Sequence, residues 1–320
     1  MINFFNFDNF KGRTSLAVRE RARKRTDAEL RLPVCKDLFT FVCADKIDLD
    51  TFAVTSNKDI LLRSVENSEF RQLASTLASL NDWFQLLPAE WVVNEFAPLL
   101  ERLPVQESIK QSIYRAKTLV KIQVTENFDS SLSGFQLLNF VTAQFAKKVR
   151  GLVFEPCSFK LYRFDDPILK QFDFSESELP SLFPFLSVLS STQFGQCRLT
   201  THGLHRFGLP EFQFENVSQS MCSSSAYLMN ALAQSLIGKV EQSKARNVTT
   251  LSLDEPYTVS TNDVIRGNKG NLPFDACIPG SAELGLKLRE QGEDCVRLVS
   301  NWDSDGDKTL ADILSKLSLI

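Results

Sequence analysis

Histidine is almost missing from this chain. His202 and His205 are the only two among 320 residues, and they are the only side chains that titrate near neutral pH without a perturbed environment. No Cys-x-x-Cys occurs. The seven cysteines (Cys35, Cys43, Cys157, Cys197, Cys222, Cys277, Cys295) are odd in number and dispersed, which argues against a disulfide scaffold and fits a reduced, cytoplasmic setting. No apolar run reaches the length of a membrane span. The opening Met1–Lys11 is interrupted by Asp8 and followed by no small-residue cleavage site, so it makes a poor signal peptide. A basic excess is lacking too: the formal net charge is −3 and the pI about 5.6, which gives no global case for nucleic acid. Tyrosine and tryptophan are scarce, four and three residues against 26 phenylalanines. Large rings without polar handles suit a core better than a wet ligand platform. No internal repeat or low-complexity segment stands out.

What is present supports a folded chain long enough for one large domain or two modest ones. Three regions are expected. Residues 1–31 form an N-terminal arm, with Phe4, Phe5, Phe7 and Phe10 ahead of a basic, helix-forming stretch from Lys11 to Arg31. Such an arm either docks on the body or binds another protein. Residues 32–104 read as a small α+β subdomain, with strand-like runs at 38–43 and 51–55 and a helical stripe over 68–87. Pro88, Pro98 and Pro104 then punctuate the chain.

Residues 105–320 read as the main α+β domain. The β-branched, partly alternating run 116–125 predicts a strand. The stripe Leu132, Phe135, Leu138, Thr142, Phe145, Val149 predicts a helix over 131–149, capped by Asp129 or Ser130 and stopped at Gly151. The run 152–154 predicts a second strand. Strand, helix and strand within about forty residues is the size of a βαβ unit, so a parallel pair is expected, with a split arrangement as the other option. Short helices and loops are expected over 158–192, strands over 194–201 and 211–217, and a helix from 223 to 244 with Leu228, Leu232, Leu236 and Val240 as its stripe. The remaining elements are a strand near 257–259, a helix over 282–291, a strand over 295–300 and a helix over 310–317. The fold class expected is α+β, a mixed, partly parallel sheet with helices packed on it.

The candidate site is the stretch Thr201-His-Gly-Leu-His-Arg-Phe-Gly-Leu-Pro-Glu211. It carries both imidazoles and a carboxylate. On a helical turn a spacing of three would put His202 and His205 on one face, able to share a metal with Glu211 or Asp165; on a strand it would part them. A zinc site needs a further ligand at recognisable spacing, and none is visible, so no metal or cofactor is assigned. Glu211 has two structural options, capping a helix end or pairing with Arg206. Arg206, Arg266 and Lys269 are the candidate binding cations, the last two in a Gly/Asn-rich segment (266–271) that could form an anion nest but lacks the P-loop ending. Asp303-Ser-Asp-Gly-Asp307 begins like a calcium loop, but Lys308 and Leu314 occupy its sixth and twelfth positions. Cys222 precedes a helix, where a thiol pKa can fall.

The same stretch resembles a signature of the form Thr-x-Gly-Leu/Met-x-x-Phe-Gly-x-Pro-Glu, found in a group of bacterial domains of unknown function. The resemblance spans about residues 110–265. It implies a fold and a bacterial setting but no reaction, and it leaves the positions of His202 and His205 variable. Two functional readings follow. The first is a non-enzymatic binding or regulatory protein. The second is a small-molecule hydrolase, metal-dependent or not, centred on His202, His205 and Glu211.

Overall fold

The run Leu38-Phe-Thr-Phe-Val-Cys43 scarcely alternates, because the strand that contains it is buried on both faces. The computed structural model of the chain describes residues 29–32, 35–45, 47, 83–87, 100–101, 107–127, 133–170, 185–193, 195–252, 257–268, 280–284, 286–291, 295–300, 306–317 and 319. In chain order the strands are β1 (Glu29–Arg31), β2 (Cys35–Ala44), β3 (Phe84–Leu87), β4 (Thr118–Asn127), β5 (Leu152–Glu155), β6 (Lys160–Arg163), β7 (Ser187–Gln193), β8 (Gln196–His202), β9 (Glu211–Ser218), β10 (Thr250–Ser252), β11 (Tyr257–Ser260), β12 (Ser281–Leu284), β13 (Leu286–Gln291) and β14 (Cys295–Ser300). The helices are α1 (Glu107–Arg115), α2 (Ser133–Val149), α3 (Cys222–Ala245), α4 (Thr261–Gly267) and α5 (Gly306–Lys316).

Two units result. The described residues of 35–180 form one, and those of 181–320 with β1 form the other. The division therefore falls at 180/181 and not near 104: β2 and β4, from either side of 104, are neighbouring strands.

The first unit is built on a five-stranded sheet ordered β3-β4-β2-β5-β6. The long β2–β4 ladder runs from Cys35↔Asn127 to Ala44↔Thr118. On one face lies α2, whose Phe135, Leu138, Val141 and Phe145 are buried. The other core cluster gathers Phe39, Phe41, Leu119 and Phe154 with Ile113 of α1. Glu126 closes the start of α2, accepting the Phe135 N–H at 3.3 Å. Gly134 makes room for it, since a Cβ there would lie 2.8 Å from the Glu126 Cβ. The expected caps Asp129 and Ser130 lie outside the described residues.

This sheet corrects the expected fold class. The strands β4 and β5 flank α2 as expected, but β2 inserts between them and pairs antiparallel with each. Every ladder of the sheet is antiparallel. A strand from further back in the chain fills the gap that an adjacent parallel pair would have closed, so the mixed, partly parallel sheet expected from the 116–154 unit does not form. Nor do 116–125, 152–154, 194–201 and 211–217 share one sheet; they divide between the two units.

The second unit holds a sheet ordered β13-β14-β9-β8-β7 and two short antiparallel ladders, β1–β10 and β11–β12. The meander β7–β8–β9 is antiparallel, with an irregularity between Cys197 and Leu199. The three residue pairs joining β14 to β9, from Arg297↔Glu211 to Val299↔Gln213, run parallel. The helix α3 packs against β7, β8 and β9 and is buried nearly all round, with Leu228, Met229, Leu232, Leu236, Ile237 and Val240 all inside. A helix buried on every side is a core helix. At Gly267 the backbone of α4 comes so close that a Cβ would lie 2.6 Å from the Asn230 carbonyl oxygen. Asn230 also donates to Asn268 Oδ1 at 2.9 Å.

Several local expectations change. Residues 84–87 are a strand and not the end of a helix, and 282–291 holds β12 and β13 where a helix was expected. The segment 158–192 contains β6 and β7 besides a short 3₁₀ helix. Glu29–Arg31, read as the end of a basic helix, pairs with β10. The rest of the N-terminal arm, the 51–55 run and the start of the 68–87 stripe lie outside the described residues. No helix among the described residues is long and apolar enough to cross a membrane.

Candidate functional site

The strand β8 ends at His202, and the chain reverses through the 3₁₀ helix Leu204–Phe207 before entering β9 at Glu211. A short helix leaves its first backbone N–H groups without intrahelical partners. The residue at its start is Gly203, which has no side chain to cap them. Glu211 caps them from the far side of the turn. Its Oε1 accepts the N–H groups of Gly203 at 2.9 Å and Leu204 at 3.0 Å, with that of His205 at 3.4 Å. Its Oε2 accepts the Thr201 hydroxyl at 2.9 Å. Thr201 Oγ1 in turn accepts the Phe212 N–H at 2.7 Å.

Other residues of the 201–211 stretch also have structural tasks. Gly203 has φ 114°, and a Cβ there would meet the Phe185 carbonyl oxygen at 2.4 Å. Leu204 and Phe207 are buried. Gly208, at φ 78°, ends the short helix in the left-handed conformation, its N–H donating to the His205 carbonyl at 3.0 Å. Thr201, Gly203, Leu204, Phe207, Gly208 and Glu211 together make a self-contained clasp.

The two histidines are placed differently. His205 is exposed, its Nδ1 3.1 Å from Glu211 Oε1. His202 is half-buried at the end of β8. It falls on the strand face opposite Thr201, since successive side chains alternate. Among the described residues no group of three His, Cys, Asp or Glu side chains is arranged to hold a metal ion. That covers His202, His205 and Glu211 together.

Of the candidate cations, Arg206 is buried within the turn and Arg266 is exposed near the end of α4. Lys269 and Asp303 lie outside the described residues. Asp165 is engaged by its neighbour Arg163, whose Nε lies 3.0 Å away. Cys222 opens α3, but its thiol pKa is pushed up to about 12, by burial first and by the adjacent Cys197 thiol second. The lowered pKa that its position suggested does not arise. Cys43, Cys157, Cys197 and Cys222 are free thiols.

Sequence reasoning named Glu211 as a cap or a partner of Arg206, but it missed Thr201 as the second half of the clasp. The signal was present: a threonine ten residues before the glutamate, at the end of a strand that a tight reversal brings alongside. No protein-family model, curated protein or solved structure matches this chain.

Proposed function

We propose that this protein works by binding another macromolecule and carries out no chemistry at the 201–211 turn. One observation carries the reading: the Glu211 carboxylate is already engaged on both oxygens, by backbone N–H groups and the Thr201 hydroxyl. A general base needs an accessible lone pair aimed at a substrate proton, and a metal ligand needs one aimed at the ion. Here the lone pairs hold the reversal together. The partner class favoured is another protein, met through the N-terminal arm of residues 1–31, since net charge gives no support to nucleic acid.

NMR titration of His202 and His205, with and without added zinc, tests the proposal. Titration curves of both rings that zinc leaves unmoved are expected. Stoichiometric zinc binding that shifts both rings would overturn it in favour of a metal-dependent hydrolase.

A further inference from the structure

The strand β7 reads Ser187-Val-Leu-Ser-Ser-Thr-Gln193 and contains no charged residue. It lies at the edge of the second unit's sheet, where its one ladder is with β8 and its other edge pairs with none of the described strands. An open edge offers a row of backbone N–H and C=O groups to another strand. Residues 189–192 are exposed one after another. Because side chains alternate between faces, this part of β7 is open on both faces, although Leu199 and Cys197 of β8, its partners at Ser190 and Thr192, are buried. Leu189 is 38% exposed, among the most exposed large apolar side chains described.

Edge strands in folded proteins are usually guarded by charge, proline or shortness. The other edges described here follow that rule. β13 carries Lys287, Arg289 and Glu290 in sequence, and β6 carries Lys160 and Arg163. β3 and the strands of the two small ladders are four residues or fewer. β7 alone among the described edge strands is both longer than four residues and uncharged.

We propose that β7 is a self-association edge, where a second copy of this chain adds its own β7 antiparallel across a two-fold axis at Ser190. The symmetry suits the sequence. A two-fold at the central residue places Ser190 opposite its copy, Leu189 opposite Ser191 and Val188 opposite Thr192. No like charges then meet across the axis, where they would oppose pairing. The two Leu189 side chains fall on one face as diagonal neighbours, within reach of each other, so each exposed leucine gains an apolar partner. One pair of seven-residue strands covers less than a permanent dimer interface, so the association is weak and concentration-dependent. β7 pairs with Thr201 and His202 along its other edge, but the proposed contact is at its free edge, and its test does not depend on the reading of the 201–211 turn.

Sedimentation velocity over a wide concentration range, on the full chain and on the variants Ser190→Lys and Ser190→Glu, tests the proposal. Ser190 is exposed, and far-UV circular dichroism checks that each variant is folded. The wild type should pass from monomer to dimer, each charged variant should dimerise about fivefold more weakly, and an equal mixture of the two should recover the association. Should one variant fail to fold, the other and the wild-type concentration series still decide the matter. A wild type monomeric to millimolar concentration would overturn the proposal, as would a dimer that neither charge weakens.

Discussion

The hydroxyl of Thr201 and the carboxylate of Glu211 hold each other across the β8–β9 reversal, 2.9 Å apart, while the same hydroxyl accepts the Phe212 N–H at 2.7 Å. Thr201 is fully buried, and so is the Phe212 N–H that it accepts. Thr201→Val keeps the shape and removes both hydrogen bonds. It should cost about 1–3 kcal/mol, the range for leaving buried hydrogen-bonding groups unsatisfied, and Thr201→Ser should cost distinctly less. Urea denaturation of the two variants is the comparison to make. Equal stabilities would show that the bonds matter little.

Gly203 and Gly195 both have positive φ, 114° and 81°, but only Gly203 faces backbone, the Phe185 carbonyl oxygen. A methyl group at Gly195 would have nothing within 4 Å of it. Alanine at either site meets the strain of an unfavourable backbone region, on the order of 1–3 kcal/mol. Gly203→Ala should lose more than Gly195→Ala, because its methyl group also forces the Phe185 backbone aside. Thermal unfolding of both variants would expose a mistake in this account if the losses were the same.

Leu232 sits at the centre of α3 and is fully buried. Its packing holds the helix that fills the second unit. Leu232→Ala should cost about 2–5 kcal/mol, the range for truncating a buried leucine. A loss below roughly half of one kcal/mol, the scale of ordinary surface substitutions, would mean the helix is packed another way.

Long amphipathic elements were legible in the sequence, and non-local pairing was not. The stripes of α2 and α3 announced helices within two residues of their observed ends, since a long run of apolar residues at a spacing of three to four fits a helix and not a strand, whether one side is buried, as in α2, or nearly all, as in α3. The failures share a cause. Ala282, Leu284, Leu286 and Leu288 alternate with period two, but Glu283, Lys287, Arg289 and Glu290 are strong helix formers. The period of two prevails over the helical propensity, and the residues form β12 and β13. Phe84 and Leu87 continued a helical spacing, yet pair with Ile122 and Leu119 of β4. The insertion of β2 between β4 and β5 depends on partners far apart in sequence, such as Val42 with Val120 and with Val153, and no local pattern encodes such a choice. At the candidate site the reversal was readable from Gly203, Gly208 and Pro210. That Glu211 turns back to cap it was one of two structural options, separable only once the backbone N–H groups were placed.

Lys160 gives a pH-dependent prediction. It begins β6, opposite the buried Glu155 in the β5–β6 ladder. Burial nevertheless lowers its ammonium pKa from the ordinary 10.5 to about 8. Between those values the unfolded chain holds a proton there that the folded chain has released. Stability attributable to this residue therefore rises with pH from about 8 to about 10.5. Below about 8 the side chain is charged in both states, and the cost of burying that charge is felt in full. Lys160→Met retains a chain of similar length without the charge. The difference in stability between wild type and variant, measured by denaturant unfolding at intervals from about pH 7 to about pH 10, cancels the titration of distant groups common to both. The wild type should gain on the variant as pH rises through that window. A difference that stays flat, or one that moves in the variant's favour, would show that the amine titrates in its ordinary range and that burial does not control it.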